Sequence, residues 1–157
     1  VLLGGANRRY GISAMMAKDM ARRLADFATK PGVSLALIPS RRTPANLVNQ
    51  LTAALAPLPY EVMDQAENNP YPGILGLVDA VIVTSDSVNM ISEATITGLP
   101  VLIAEWQNET GRIAAFHDAM MAAGHIAPLR DQLPQDGFTP LFEMPRIIKS
   151  VLARLNS

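Results

Sequence analysis

Residues suited to binding phosphate follow several apolar segments of the sequence, at the points where those segments end. Small, hydroxyl-bearing and arginine side chains are grouped at residues 4–9, 40–42, 84–87 and 107–110. Backbone N–H groups, guanidinium groups and the positive end of a helix dipole all favour a bound phosphate. Any single loop fits solvated arginines and ordinary helix caps equally well. Only the convergence of several loops on one edge of a fold would indicate an anionic ligand.

One glutamate lies at helical spacing after the third of these loops. On a helix over residues 87–97, a rotation of about 100° per residue places Asp86, Asn89 and Glu93 within one narrow arc. The opposite side is apolar and would cover a sheet, so we expect Asn89 and Glu93 to face outward. A carboxylate at this position can accept two hydrogen bonds from the cis-diol of a ribose, while the first turn offers N–H groups to a diphosphate. Periodicity alone favours an ordinary surface glutamate over this binding role.

The elements that would position these loops alternate between strands and helices. The apolar runs predict strands at 1–5, 33–40, 59–64, 79–85 and 100–106. Helical periodicity or capping signals predict helices at 13–30, from Thr43 (N-cap) and Pro44 (first turn), at 87–97, 112–124 and 145–156. The pattern predicts an α/β fold, a Rossmann-like open and mainly parallel sheet with helices on both faces. Ligands bind such sheets beyond the carboxyl ends of the strands, which is where the four loops fall.

Composition limits the class of protein. The chain has 157 residues, 49% of them hydrophobic and 17% charged, which predicts a single globular domain over residues 1–157. A net charge of −1 argues against nucleic-acid binding, and the lack of cysteine excludes disulfide, iron–sulfur and thiolate-zinc frameworks. No apolar run approaches the ~18 residues of a transmembrane segment. Because Val1 opens inside an apparent strand, we expect a fragment of a longer two-domain protein.

Several common motifs are absent from the sequence. Residues 4–7 lack the glycine spacing of the dinucleotide fingerprint, and there is no Walker sequence and no G-x-S-x-G nucleophile elbow. His117 and His125 have no carboxylate at ligand spacing, so no metal site is expected, and His117 is interpreted as a packing or supporting residue. Trp106 is interpreted as a partly buried anchor, with base stacking as the alternative.

Five segments together resemble a known family. They are "VLLGGANRRYGIS", "PSRRTP", "VTSDSVNMISEA", "GLPV" and "GRIAAFH", and they cover nearly the whole chain in order. They resemble the family named for the plant mitochondrial-fission protein (elongated mitochondria), whose bacterial members are described as nucleoside-diphosphate-sugar epimerases or glycosyltransferases. The stretch from residue 79 to 101 is also similar to the nucleotide-sugar half of GT-B glycosyltransferases, the C-terminal half of that two-domain fold.

The resemblance assigns roles to individual positions. It implies that the glutamate of the third loop's helix binds ribose, that the start of this helix meets the diphosphate, and that the first two loops approach the phosphates or sugar. No catalytic residue is assigned. The implied nucleotide- and phosphate-binding residues are Gly5, Asn7, Arg41, Ser85, Ser87, Asn89 and Glu93.

The resemblance implies a nucleotide-sugar-binding domain of a GT-B-like glycosyltransferase that holds the diphosphate without metal. A nucleoside-diphosphate-sugar epimerase and a non-catalytic adaptor or scaffold domain are the alternatives, and the isolated domain is expected to be inactive. We expect a sugar nucleotide as ligand, with no tightly bound cofactor. The expected partners are the missing N-terminal domain and an acceptor glycan or lipid. The expected location is cytoplasmic, with peripheral attachment to a membrane surface as the alternative.

Overall fold

The fold was analysed in a computed structural model, which describes residues 1–5, 11–63, 71–106, 109–130 and 138–155. Strands and helices alternate along the chain. The strands are β1 Leu2–Leu3, β2 Leu35–Pro39, β3 Tyr60–Val62, β4 Val81–Thr84, β5 Val101–Ala104 and β6 Ala127–Pro128. The helices are α1 Ala14–Ala28, α2 Ala45–Leu55, α3 Tyr71–Leu75, α4 Val88–Thr95, α5 Arg112–Ala122 and α6 Met144–Leu155.

The six strands form one sheet in the order β3-β2-β1-β4-β5-β6, and every described pairing is parallel. The chain builds outward from β1 in one direction and then returns to add β4 on the other side. Leu2 therefore pairs with Ile38 of β2 on one side and with Val83 of β4 on the other. The order reverses between β1 and β4, so this is the switch point of the sheet.

Alternate strand residues divide the core into two layers, because successive side chains of a strand point to opposite faces. Leu3, Ile82 and Leu102 belong to a layer covered by α1 and α2. Leu2, Val83 and Ile103 belong to the opposite layer, which contains buried residues of α4 and α5. The predicted α/β fold with helices on both faces is confirmed.

Three local predictions need correction. β6 was not predicted, since two residues give no usable periodicity. The first strand is Leu2–Leu3 rather than the whole of residues 1–5. Thr43 does not cap α2. Pro44 occupies the N-cap position without a side-chain cap, and the Thr43 hydroxyl instead bonds β1 backbone carbonyls.

Helix α6 contrasts with the other helices because every one of its residues is exposed. Exposed apolar side chains recur along it at helical spacing: Met144, Ile147, Ile148, Val151, Leu152 and Leu155. None of the helices within the described ranges combines the length and apolar character that a membrane crossing requires.

We expect Leu51→Ala to lower the free energy of unfolding by about 3 kcal/mol, the cost of removing a buried leucine and leaving a cavity. Leu51 lies on α2 with 0% exposure. Leu77→Ala is the matched control, since Leu77 is 86% exposed and should change stability by less than about 0.5 kcal/mol. Urea unfolding of both variants measures the difference, and equal losses would contradict the described core.

Candidate functional site

The candidate site lies at the carboxyl ends of β2, β1 and β4, which are neighbours in the sheet. Two strand spacings, about 10 Å, separate the ends of β2 and β4. The turns after these strands therefore adjoin one another, with Gly4 and Gly5 of the β1 turn in the middle. Helix α2 follows β2 and helix α4 follows β4, and both helices begin at this edge. This edge is also the switch point, the usual ligand crevice of an open parallel sheet.

Gly4 and Gly5 are pressed between the two neighbouring turns. A Cβ atom on Gly4 would lie 2.0 Å from Oδ2 of Asp86, and one on Gly5 would lie 2.0 Å from the carbonyl oxygen of Arg42. Neither distance accommodates a carbon atom. The pair is therefore required by close packing of three turns, and any side chain here would force the turns apart.

A buried carboxylate, that of Asp86, packs against the β1 turn. Asp86, only 7% exposed, accepts hydrogen bonds from the Gly5 N–H at 2.9 Å and from Nε1–H of Trp106 at 2.9 Å. The Gly4 N–H donates to Oγ1 of Thr84 at 2.8 Å. These two glycine N–H groups are thus used within the protein, as expected of buried donors.

Thr43 joins the β2 turn to the β1 turn. Its hydroxyl lies 2.7 Å from the carbonyl oxygens of Leu3 and Gly4, to which it donates, and it accepts the Ser40 N–H at 2.8 Å. Arg41 lies in this fixed turn, with its side chain exposed. The guanidinium group is therefore carried on a backbone that is held in place at the edge of the sheet.

Helix α4 begins at the switch point. Ser87 is its N-cap and accepts the Met90 N–H at 3.4 Å, so its hydroxyl can still donate one hydrogen bond. The N–H groups of the first turn have no acceptor within a helix, and they point toward the N-terminal end. Asn89 and Glu93 are exposed, whereas Ile91 and Ala94 are fully buried. The outward orientation predicted for Asn89 and Glu93 matches this burial pattern.

Glu93 lies beside Tyr71, the first residue of α3. Burial, the negative charge of Glu93 and a hydrogen bond to Glu93 together raise the pKa of Tyr71 to about 12. A carboxylate has two oxygens and several lone pairs. Glu93 can therefore interact with Tyr71 and still accept hydrogen bonds from a ligand.

Ser85 joins the β4 turn to the segment after β5. Its Oγ accepts the Trp106 N–H at 2.9 Å and donates to Oε1 of Glu109. The other Glu109 oxygen lies 3.1 Å from Nδ1 of His117 on α5. The hydroxyl of Ser85 is thus committed to contacts within the protein.

The predicted residues divide into groups. Gly5, Ser85, Ser87 and the turn bearing Arg41 come together at one edge, with Asn89 and Glu93 on the outward side of α4. Asn7 lies outside the described residues, as do Arg8 and Arg9 of the same loop. Within the described ranges, no three histidine, aspartate or glutamate side chains are grouped so that they could hold a metal ion.

Sequence reasoning missed the supporting residues of this site. Tyr71 gave no signal because the sequence around it shows no helical or strand periodicity. Glu109 was among the residues expected at this edge, but no local spacing connects it with His117. Trp106 is the buried anchor that was predicted, and its partner Asp86 is 20 residues away. These contacts depend on the strand order rather than on sequence spacing.

The fold and the site geometry define a Rossmann-like α/β chain whose sheet has its switch point between β1 and β4. A family model described as "Mitochondrial fission ELM1" matches residues 1–155. The chain therefore belongs to the mitochondrial fission ELM1 family.

Two curated relatives share this similarity. The chain is 34% identical over 127 residues to "Mitochondrial fission protein ELM1" of Arabidopsis thaliana, a match covering 77% of this chain and 28% of the relative. It is 29% identical over 106 residues to "Uncharacterized protein RP120" of Rickettsia prowazekii (strain Madrid E), covering 66% of this chain and 30% of the relative. The matched part thus spans less than a third of either relative.

Gly5→Ala should lower the free energy of unfolding by about 3 kcal/mol, because its Cβ would overlap the Arg42 carbonyl and force backbone movement. Gly73→Ala is the matched control, since a Cβ there meets nothing within 4 Å. Chemical denaturation compares the two. If Gly5→Ala were as stable as Gly73→Ala, this result would contradict the close packing of the three turns described above.

Glu93→Gln should move the pKa of Tyr71 from about 12 toward the ordinary value of 10.0, by removing the nearby charge. In the native protein the raised pKa keeps Tyr71 protonated while the unfolded chain loses its tyrosine proton. Stability should therefore fall as pH rises from about 10 to about 12, and less steeply in the variant. Absorbance titration of tyrosinate measures the pKa. An unchanged value would contradict the contact between Glu93 and Tyr71.

Proposed function

We propose that the chain is the nucleotide-sugar-binding domain of a GT-B-like glycosyltransferase and that it holds the nucleotide diphosphate without metal. The observation that carries this proposal is the position of α4. It starts at the switch point with Ser87 as its N-cap, and it presents Glu93 on its outward face about 9 Å along the axis (six residues at 1.5 Å each). This separation is comparable to the distance between a diphosphate and the ribose hydroxyls of the same nucleotide.

The diphosphate would meet the beginning of α4. Free N–H groups of the first turn and the Ser87 hydroxyl are donors there, and the positive end of the helix dipole favours negative charge. Arg41 supplies a mobile cation from the neighbouring turn, and its fork of N–H groups suits phosphate oxygens. Asn89 adds an exposed amide on the same helix.

The ribose would meet Glu93. Its carboxylate is exposed on the outward side of α4 and lies near Tyr71. Two hydroxyl donors of a cis-diol suit a carboxylate, which accepts hydrogen bonds only. In catalysis, this domain would stabilise the departing diphosphate through N–H groups and arginine. An acceptor hydroxyl held by another part of the longer protein would attack the anomeric carbon. A sugar-nucleotide epimerase would use the same nucleotide contacts and differ only in the chemistry at the sugar.

A non-catalytic adaptor is the second candidate, and one observation favours it. The Gly4 and Gly5 N–H groups are already bonded within the protein, and the buried Asp86 carboxylate lies just before the start of α4. That carboxylate competes with a phosphate for the same positive electrostatic potential. The printed name of the Arabidopsis relative refers to mitochondrial fission, a role that a scaffold could also perform.

Calorimetry with UDP, GDP, ADP and CMP tests the proposal. We expect at least one nucleoside diphosphate to bind, and Glu93→Ala to weaken that binding by roughly 1–3 kcal/mol, the cost of a lost charged hydrogen bond. Glu61→Ala is the matched control, since Glu61 is exposed on the edge strand β3 and should bind like the unaltered chain. No binding by any nucleotide would favour the adaptor.

A further inference from the structure

A buried chain of hydrogen bonds leads away from the candidate site toward α5. The Trp106 N–H donates to Oγ of Ser85, Ser85 donates to Oε1 of Glu109, and Oε2 of Glu109 lies 3.1 Å from Nδ1 of His117. Ser85 is 0% exposed, His117 is 4% exposed, and the Glu109 side chain is 10% exposed. Most of the surface of these side chains is therefore shielded from water.

The available donors and acceptors restrict how these side chains can be oriented. Ser85 has one hydroxyl hydrogen, and because its oxygen already accepts from Trp106, that hydrogen goes to Glu109. The second Glu109 oxygen lies 3.1 Å from Nδ1 of His117 and can accept a hydrogen bond from an N–H at that nitrogen. Removing His117 would leave part of a buried carboxylate without its partner. Each group thus fixes the orientation of the next.

The His117 end of these contacts carries an energetic cost. Nε2 of His117 is buried and has no hydrogen-bond partner among the described residues. A buried polar atom without a partner has an energetic cost, and such an atom in a native protein calls for an explanation. A leucine of similar size would avoid that cost. The imidazole is explained if its other nitrogen is needed at Glu109.

The Ser85 end of these contacts adjoins the candidate site directly. Ser85 lies two residues before Ser87, the N-cap of α4. Trp106 bonds Ser85 through its backbone and Asp86 through its indole, and Asp86 holds the Gly5 N–H. One connected set of hydrogen bonds therefore joins α5 to the β4 and β1 turns.

We propose that His117 and Glu109 are positioning residues that hold Ser85, and with it the β4–α4 turn, in the conformation that binds a nucleoside diphosphate. This inference rests on the proposed function. Neither side chain contacts the ligand. They act by fixing the turn from which Ser87 and the first N–H groups of α4 are presented. Loss of these contacts between side chains would leave the β4–α4 turn free to adopt other conformations.

Two substitutions at one position separate hydrogen bonding from packing. His117→Asn keeps an N–H donor close to the position of Nδ1, whereas His117→Leu keeps apolar volume and removes the donor. His125→Leu is the matched control, since the only other histidine is bonded to the Thr139 carbonyl and lies away from this chain. Glu109→Gln serves as a second variant that keeps side-chain shape if His117→Leu does not fold. Circular dichroism melting checks the fold of each variant.

Two readouts are measured on each variant. The first is the Kd for the nucleoside diphosphate that binds the unaltered chain. The second is the indole N–H resonance in an NMR spectrum, which is unique because Trp106 is the only tryptophan, and which reports directly on the bond to Asp86. We expect His117→Leu and Glu109→Gln to move this resonance and to raise the Kd about tenfold, the effect of losing one buried charged hydrogen bond. His117→Asn should stay within about threefold of the unaltered Kd, and His125→Leu should match it.

Each result decides a separate claim. Folded His117→Leu and Glu109→Gln variants with an unmoved resonance and an unchanged Kd would overturn the positioning role. Equal losses of affinity in His117→Asn and His117→Leu would also overturn it, because volume and not the donor would then be responsible. If the unaltered chain binds no nucleotide, the proposed function fails. The resonance then decides the positioning claim alone: movement in His117→Leu but not in His117→Asn supports it, and no movement overturns it.

Discussion

The candidate site depends on the contact between the β1 turn and the Asp86 carboxylate. Asp86 accepts the Gly5 N–H and the Trp106 indole N–H, and it lies so close that Gly4 has no room for a Cβ. On the other side, Gly5 is pressed against the Arg42 carbonyl. The ends of three parallel strands are thereby held together, by the Asp86 side chain on one side of the β1 turn and by direct backbone packing on the other. The start of α4 and the turn bearing Arg41 take their positions from this contact.

The same contact determines which donors a ligand can use. In a dinucleotide-binding fold the glycine turn after the first strand faces the phosphates, whereas here its N–H groups are satisfied by Thr84 and Asp86. In the proposed function a phosphate would therefore rely on α4 and Arg41, and a nucleoside on Glu93 with its neighbour Tyr71. These groups would contact a nucleotide from one side. In the proposed function the opposite side of the ligand would be left to another part of a longer polypeptide, and the matched part of this chain spans 28% of one curated relative and 30% of the other.

The fold could be predicted from the sequence because β4 and β5 are apolar on both faces, which requires helices on both sides of a parallel sheet. The outward side of α4 followed from its period, with Ile91 and Ala94 buried and Glu93 exposed. Other features could not be predicted, for physical reasons. Thr43 before Pro44 has the sequence of a helix cap, but β1 carbonyls offered it stronger tertiary partners. The contact of Asp86 with Gly5 joins residues 81 positions apart, and only the strand order reveals it.

The central claim is that a nucleoside diphosphate binds at the switch point, across the turns after β2 and β4. An amide NMR titration with UDP, GDP and ADP tests it most directly, since each backbone N–H reports on its own surroundings. Saturable shifts are expected at residues 41–43, 85–90 and 93, with residues 32–34 and 98–99 at the opposite edge of the sheet unchanged. Shifts confined to that opposite edge, or none at all with any nucleotide, would contradict it.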